Sequence, residues 1–245
     1  MIRHAMVERG LGFGDGFRLR GREVSRVEGF SDAAFAFAIT LLVVSLEAPR
    51  DYAGLLDVMR GVPAFAVCFA TVAWVWAAHY KFFRRFGLQD RLTVVLNAAL
   101  LFVVMLYVYP LKFMFTEFLA MVTGLRPGGG GSGLRLEQVG PMFVIYGLGF
   151  AAVFALLGLL NARAYALREP LGLDAAERLA TRQEIARCAW LTGIGLLSVA
   201  AAVALPGRLA GAAGMVYSLI AAVEYGVGSY FGRRIRRLVA TPAAE

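Results

Sequence analysis

Asp32, Trp76, His79, Asn97 and Glu224 are the side chains of this sequence whose types and places could do chemistry, because each lies in a stretch otherwise too apolar for water. Between Phe30 and Leu46, Asp32 is the one strongly polar residue. An ionisable group left alone in hydrocarbon costs several kcal/mol or thins the bilayer around it, so it marks a candidate site by default. Arg26, Phe30 and Ser31 crowd around this acid in sequence. Either Arg26 and Asp32 anchor a helix among headgroups, or they belong to a polar assembly. Trp76 and His79, three apart, put an indole donor and an imidazole on nearly one helical face. Asn97 lies about one turn inside the next apolar run. Taken singly, His79 reads as an interfacial histidine and Trp76 as a member of an aromatic belt. Taken together at one depth, Arg26, Ser31, Asp32, Trp76, His79 and Asn97 are expected to form a network that satisfies groups lipid cannot. Glu224 sits mid-run near the C-terminus, with Tyr225 and Ser218 as polar neighbours, and marks either a structural pair or a second polar pathway.

The other face of the first run is apolar. Phe37, Leu41 and Val44 follow i, i+4, i+7 spacing and share a stripe, with Thr40 beside Leu41. Ala33, Ala34, Ala36 and Ala38 let neighbouring helices approach closely. Ordinary helix packing accounts for such a stripe, and so does a pore with a hydrophobic constriction. Enzyme signals are weak. The two histidines, His4 and His79, belong to no Ser/His/Asp grouping, no His-Glu-x-x-His and no Walker-type loop. Cys68 and Cys188 lie in or beside apolar runs as small hydrophobes, so neither a disulfide framework nor a metal site is expected. No cofactor is implied, and the sequence lacks a Thr-Val-Gly-Tyr-Gly carbonyl filter.

The elements that must position these residues are long apolar helices. At 245 residues, 59% hydrophobic and a mean hydropathy of +0.66, the chain is too apolar for an ordinary soluble domain. Continuous rather than alternating runs exclude a strand barrel. Six runs stand out, at about 30–46, 61–79, 92–111, 139–160, 188–205 and 209–231. The third is expected to continue amphipathically past 111, and Lys112 and Glu117 to be solvated. Residues 1–25 read as a basic, mobile arm without a signal peptide. Residues 26–237 form the membrane domain and 238–245 a tail. The run at 126–133 (RPGGGGSG) is a linker by composition. Residues 161–187 are charged, with a surface helix expected around 175–185. Placing the N-terminus inside puts nineteen Lys and Arg in cytoplasmic segments against five in outer loops. That bias predicts an all-α, polytopic membrane protein with six transmembrane helices and both termini cytoplasmic. The net charge of +8 is then a topology feature that favours membrane lipids and implies no nucleic-acid partner.

Arg26-Val-Glu-Gly-Phe30-Ser31-Asp32 matches an Arg-x-x-x-Phe-Ser-Asp signature, followed by Ala33 to Thr40. With Trp76-x-x-His79, Leu96-Asn97 and Pro110, it resembles the transmembrane protein 175 family of endosomal and lysosomal potassium channels and their prokaryotic relatives. The resemblance covers roughly residues 22–112. It implies a plasma-membrane, multi-pass cation channel without a carbonyl filter, permeable to potassium, assembled as a homotetramer with the first helix of each subunit lining the pore. Carried over, the constriction falls on Phe37, Leu41 and Val44, with Thr40 as a polar neighbour. Arg26, Phe30, Ser31, Asp32, Trp76, His79 and Asn97 become the structural network behind it. The family usually has Ile or Leu where Phe37 stands, and a phenyl ring is bulkier. The competing class is a secondary transporter with Asp32 and Glu224 as coupling carboxylates; missing inverted repeats and broken helices weigh against it. A third reading is a membrane scaffold whose network serves packing alone.

Overall fold

Ser25 and Glu28 start the first helix by a reciprocal cap. The Ser25 hydroxyl accepts the Glu28 backbone N–H at 3.1 Å, and the Glu28 carboxylate accepts the Ser25 N–H at 3.4 Å. The structure, a computed structural model, describes residues 17–21, 23–44, 48–124, 135–205 and 209–240, the last five by backbone alone. Helix α1 spans Arg26–Val44, α2 Tyr52–Phe86, α3 Arg91–Thr123, α4 Leu136–Ala166 and α5 Ala175–Ala204. A short α6 (Ala212–Met215) and a 3₁₀ turn (Val216–Ser218) lead into α7, Leu219–Ala240. The expected linker at 126–133, the Pro206-Gly207 turn, residues 1–16 and residues 241–245 lie outside the described residues.

Helices α1 to α5 are long and apolar enough to cross a membrane. Helices α2 to α5 run beyond the apolar runs because caps, rather than hydropathy, set several of their ends. Asp51 opens α2 by accepting the Gly54 N–H at 2.7 Å, and Gly87, at φ 60°, closes it. Its 35 residues rise about 50 Å, so both ends project beyond a hydrocarbon layer of about 30 Å. Helix α3 does run on past residue 111, to Thr123, but Lys112 and Glu117 are half-buried against the bundle rather than solvated. The surface helix expected around 175–185 is not a separate element. Asp174 and Glu177 cap α5 reciprocally, and the helix continues unbroken to Ala204, since no Gly or Pro interrupts the junction at Ile185–Cys188. The sixth run differs in the opposite sense. Instead of one span over 209–231 it breaks at Val216–Ser218, where the Ser218 hydroxyl donates to Met215 O and competes with the helical pattern.

The helices pack as a bundle in which α1 lies on α2 and α3, α4 pairs with α3 and most extensively with α5, and α7 lies along α5. The α4–α5 approach is close because glycines meet. A Cβ on Gly147 would come within 2.9 Å of Gly195 O, and a Cβ on Gly195 within 2.9 Å of Gly147 O. The Tyr107 hydroxyl donates to Tyr146 O at 2.9 Å and so ties α3 to α4 without leaving a buried polar group unsatisfied.

The mobility expected for the N-terminal arm does not hold at residues 17–21. Phe17 is buried, packed edge-on against Phe86 at 5.5 Å and beneath the Arg85 guanidinium at 4.6 Å. Gly21 N donates to Arg84 O at 3.1 Å, and a Cβ there would lie 2.5 Å from Phe83 O, so only glycine fits. Arg20 donates to Leu171 O at 2.9 Å and to the buried Glu177 carboxylate at 2.7 Å. Burial of one phenyl ring, the ion pair and the backbone hydrogen bonds of Arg20 and Gly21 all favour this docked segment, and composition shows none of them.

A further tie joins the start of α3 to the end of α4. Asp90 accepts Arg163 Nε at 3.1 Å and the Thr93 hydroxyl at 2.5 Å. Burial pushes the Asp90 carboxyl up, but hydrogen bonds from Thr93 and Arg163 and the Arg163 charge outweigh it and hold it below its ordinary value. A depressed carboxylate stabilises the fold above its unfolded pKa, and that contribution is lost as pH falls through the depressed one. Asp90→Asn is therefore expected to lower thermal stability at pH 7, by about 1 kcal/mol or less for so exposed a pair. In melting curves taken at successively lower pH, the gap from the unaltered protein should close.

Candidate functional site

The two faces of α1 separate the candidate residues cleanly. Glu28, Ser31, Phe35, Ala38 and Leu42 recur at three- and four-residue spacing and are buried against α2 and α3. Phe30, Phe37, Thr40 and Val44 lie on the opposite side and are exposed, Phe37 at 52% and Val44 at 71%. Leu41 sits at the boundary, partly buried against the core, so the outward stripe runs through Thr40 more than through Leu41. The exposed Thr40 hydroxyl donates its proton to Ala36 O at 2.9 Å, so its oxygen can act toward a further group only as an acceptor.

Behind the inward face runs a directional hydrogen-bond relay. The Ser31 hydroxyl donates to Val27 O at 2.8 Å and accepts Asn97 Nδ2 at 2.9 Å. That orientation turns Asn97 Oδ1 toward His79 Nε2, 2.8 Å away, so Nε2 carries the proton. His79, wholly buried, is wedged between the rings of Phe35 at 5.4 Å and Phe83 at 4.7 Å. Its Nδ1 has no hydrogen-bond partner among the described residues. One buried polar residue on each of α1, α2 and α3 thus locks the three helices at a common level. On the rim of the same level Trp76 Nε1 donates to Asp32 Oδ1 at 2.9 Å, and the indole stacks on Tyr80 at 5.6 Å.

Of the expected network, the structure joins Ser31, Asn97 and His79 as one unit and Asp32 with Trp76 as another. Arg26 and Phe30 are not part of either. Both are exposed, because their spacing from Phe37 and Val44 puts them on the outward stripe. Glu224 does not pair with Tyr225 or Ser218; its carboxylate lies 3.5 Å from Arg187 Nη1 on α5. Asp32 and Glu224 therefore have separate partners on separate helices.

Sequence reasoning missed three supports of α1. The cap at Ser25 and Glu28 was legible as Ser-x-x-Glu ahead of an apolar run. Phe35 shares the Ser31 face by spacing, but nothing in the sequence tied it to the His79 ring. The docked segment at 17–21 carried only the pairing of a phenylalanine with flanking arginines.

The first helix, the second and the first half of the third fall in the part of the chain a known family matches. The endosomal/lysosomal potassium channel TMEM175 family matches residues 26–107. A potassium channel of Marivirga tractuosa is 36% identical over 241 residues, 94% of this chain and 96% of its own length. The chain belongs to the TMEM175 family. This is a family of channels and not of enzymes, and with five long apolar helices the protein is a multi-pass membrane protein. A variant of the potassium channel MtTMEM175, solved in complex with a nanobody–MBP fusion protein, superposes with a TM-score of 0.76 at 34% identity. That match covers 89% of this chain and 97% of that one. The lysosomal potassium-selective channel TMEM175 homolog from Chamaesiphon minutus shares the fold, with a TM-score of 0.51 at 22% identity over 86% of this chain and 96% of its own. A potassium channel of Streptomyces collinus is 35% identical over 103 residues, 40% of this chain and half of its own length.

Proposed function

We propose that this protein is a potassium-permeable cation channel of the plasma membrane, a homotetramer whose pore is lined by α1 of each subunit. The observation that carries the reading is the division of α1. Its inward face is fully engaged within the protomer, while Phe37, Thr40 and Val44 stand exposed on the other, in a family named for potassium channels. One helix cannot enclose a path, but four copies of it can. In this reading the pore-forming unit is 26–237, flanked by the arm 1–25 and the tail 238–245. The chain crosses six times, the broken α6–α7 segment being the last crossing, with both termini cytoplasmic; the nineteen-to-five division of Lys and Arg supports that orientation.

Conduction is passive. Four rings of Phe37, with Leu41 and Val44, form an apolar neck that gates by dewetting, because a narrow greasy neck expels water and an ion cannot cross unhydrated. A tilt or rotation of α1 rewets it. Thr40 presents oxygen lone pairs, the feature a dehydrating cation needs, and no bound cofactor takes part. Arg26, Phe30, Ser31, Asp32, Trp76, His79 and Asn97 hold the helix in register, with Arg26 and Phe30 acting between subunits. The transporter alternative needs a carboxylate open to a coupling ion, whereas Glu224 faces Arg187. Purified protein in liposomes is expected to pass potassium faster than sodium, down its gradient and without saturable dependence on a proton or sodium gradient. Vesicles no leakier to potassium than protein-free controls would rule the channel out.

A further inference from the structure

Away from the outward face of α1, the densest charge cluster lies where α2 ends against the first half of α5. Glu184, its side chain 13% exposed, receives Lys81 Nζ at 2.7 Å and Arg187 Nη2 at 2.9 Å, with Arg85 Nη1 at 3.8 Å. Three cations this close repel one another, and the carboxylate among them is what makes the arrangement favourable. Arg187 continues the chain of charges to Glu224 of α7 at 3.5 Å. Lys81, Arg85, Glu184 and Arg187 also line a small cavity together with Phe82 and Leu157.

The cluster's other connection is through α2. Within about two and a half turns the same helix carries Trp76 and His79, which hold α1 and α3, and Lys81 and Arg85, which hold Glu184. A helix is stiff over that length, so the end of α2 cannot shift at the cluster without moving the grip on α1. Arg84 O, in the same turn, receives the backbone of the segment that leads into α1. We propose that Glu184 is a positioning residue for the conducting helix: it fixes the end of α2 and thereby the angle of α1, with Glu224 joining α7 to the same control. This rests on the channel reading above.

Glu184→Gln keeps the shape and removes the charge. In planar-bilayer recordings it is expected to change the ratio of open to closed time at least about fivefold, a size typical of coupling through packed networks. Unitary conductance and the potassium-to-sodium permeability ratio should stay as they were, because the neck is untouched. Glu184→Asp, which restores the charge, should return the ratio toward its original value. Hydrogen exchange on the assembled protein should rise across α1 and the second half of α2 but not across α4. Unchanged open time, or a rise in exchange spread evenly over the whole bundle, overturns the proposal. If the Gln variant does not assemble, Lys81→Gln at the better exposed edge of the cluster is read the same way. If the unaltered protein conducts nothing, the channel reading fails, while the exchange pattern still decides whether Glu184 positions α1.

Discussion

Phe37→Ala is expected to raise potassium flux per assembled channel by roughly tenfold, the change that about 1.4 kcal/mol in a barrier produces. Phe37 is half-exposed in the protomer, and truncating it leaves no cavity in the core. Folding and assembly should therefore survive, and the effect should appear in conduction. Removing the ring from every subunit widens and wets the neck, so the dehydration barrier falls. Selectivity should fall with it, because a wider neck lets ions keep more of their water. Phe37→Trp, larger still, should reduce flux. The measurement is potassium and sodium efflux from proteoliposomes, normalised to the amount of assembled protein. Equal flux from the unaltered channel and the Phe37→Ala variant would place the barrier elsewhere on α1.

Asn97→Leu is expected to act on the fold instead. The substitution keeps size but removes both hydrogen bonds of the relay, stranding His79 Nε2–H and one acceptor site on Ser31. Each buried group left without a partner costs about 1–3 kcal/mol, with values near the lower end for helices in a membrane. The loss is larger than for Ser31→Ala, which strands only the Asn97 amide N–H while His79 keeps its partner. Thermal unfolding in detergent should rank the unaltered protein above Ser31→Ala and that above Asn97→Leu, with flux declining in the same order. Identical melting of the two variants would mean that His79 draws nothing from Asn97.

Much of the fold was legible because hydrocarbon permits so few solutions. Apolar runs longer than about eighteen residues must be helices, since every backbone group has to be satisfied within its own segment. That logic located α1 to α5, and it put polar residues on the three helices that Ser31, His79 and Asn97 join. It failed where local chemistry overrides hydropathy. Helix α5 begins at the Asp174 cap, well ahead of its apolar run, and the sixth run breaks at a 3₁₀ turn that its hydropathy does not announce. Lys112 looked solvated because it stands at the boundary of an apolar run, yet the bundle half covers it.

Spacing along one helix also decided which faces of α1 differ, since the angle between residues is set by about 3.6 residues per turn and needs no partner. Phe37 and Val44 on one side and Ser31 and Phe35 on the other follow from that count alone. Which side turns inward was not in the count. Burial depends on what α2 and α3 present, and only their packing turned the face of Ser31 and Phe35 inward and left that of Arg26 and Phe30 outside. Glu184 shows the limit most clearly. In sequence it is one acid among the charges of 161–187, 103 residues from Lys81. The tertiary structure alone gathers Lys81, Arg85 and Arg187 around it, because electrostatic partners are chosen by distance in space, and the pattern of a single helix carries no such distance.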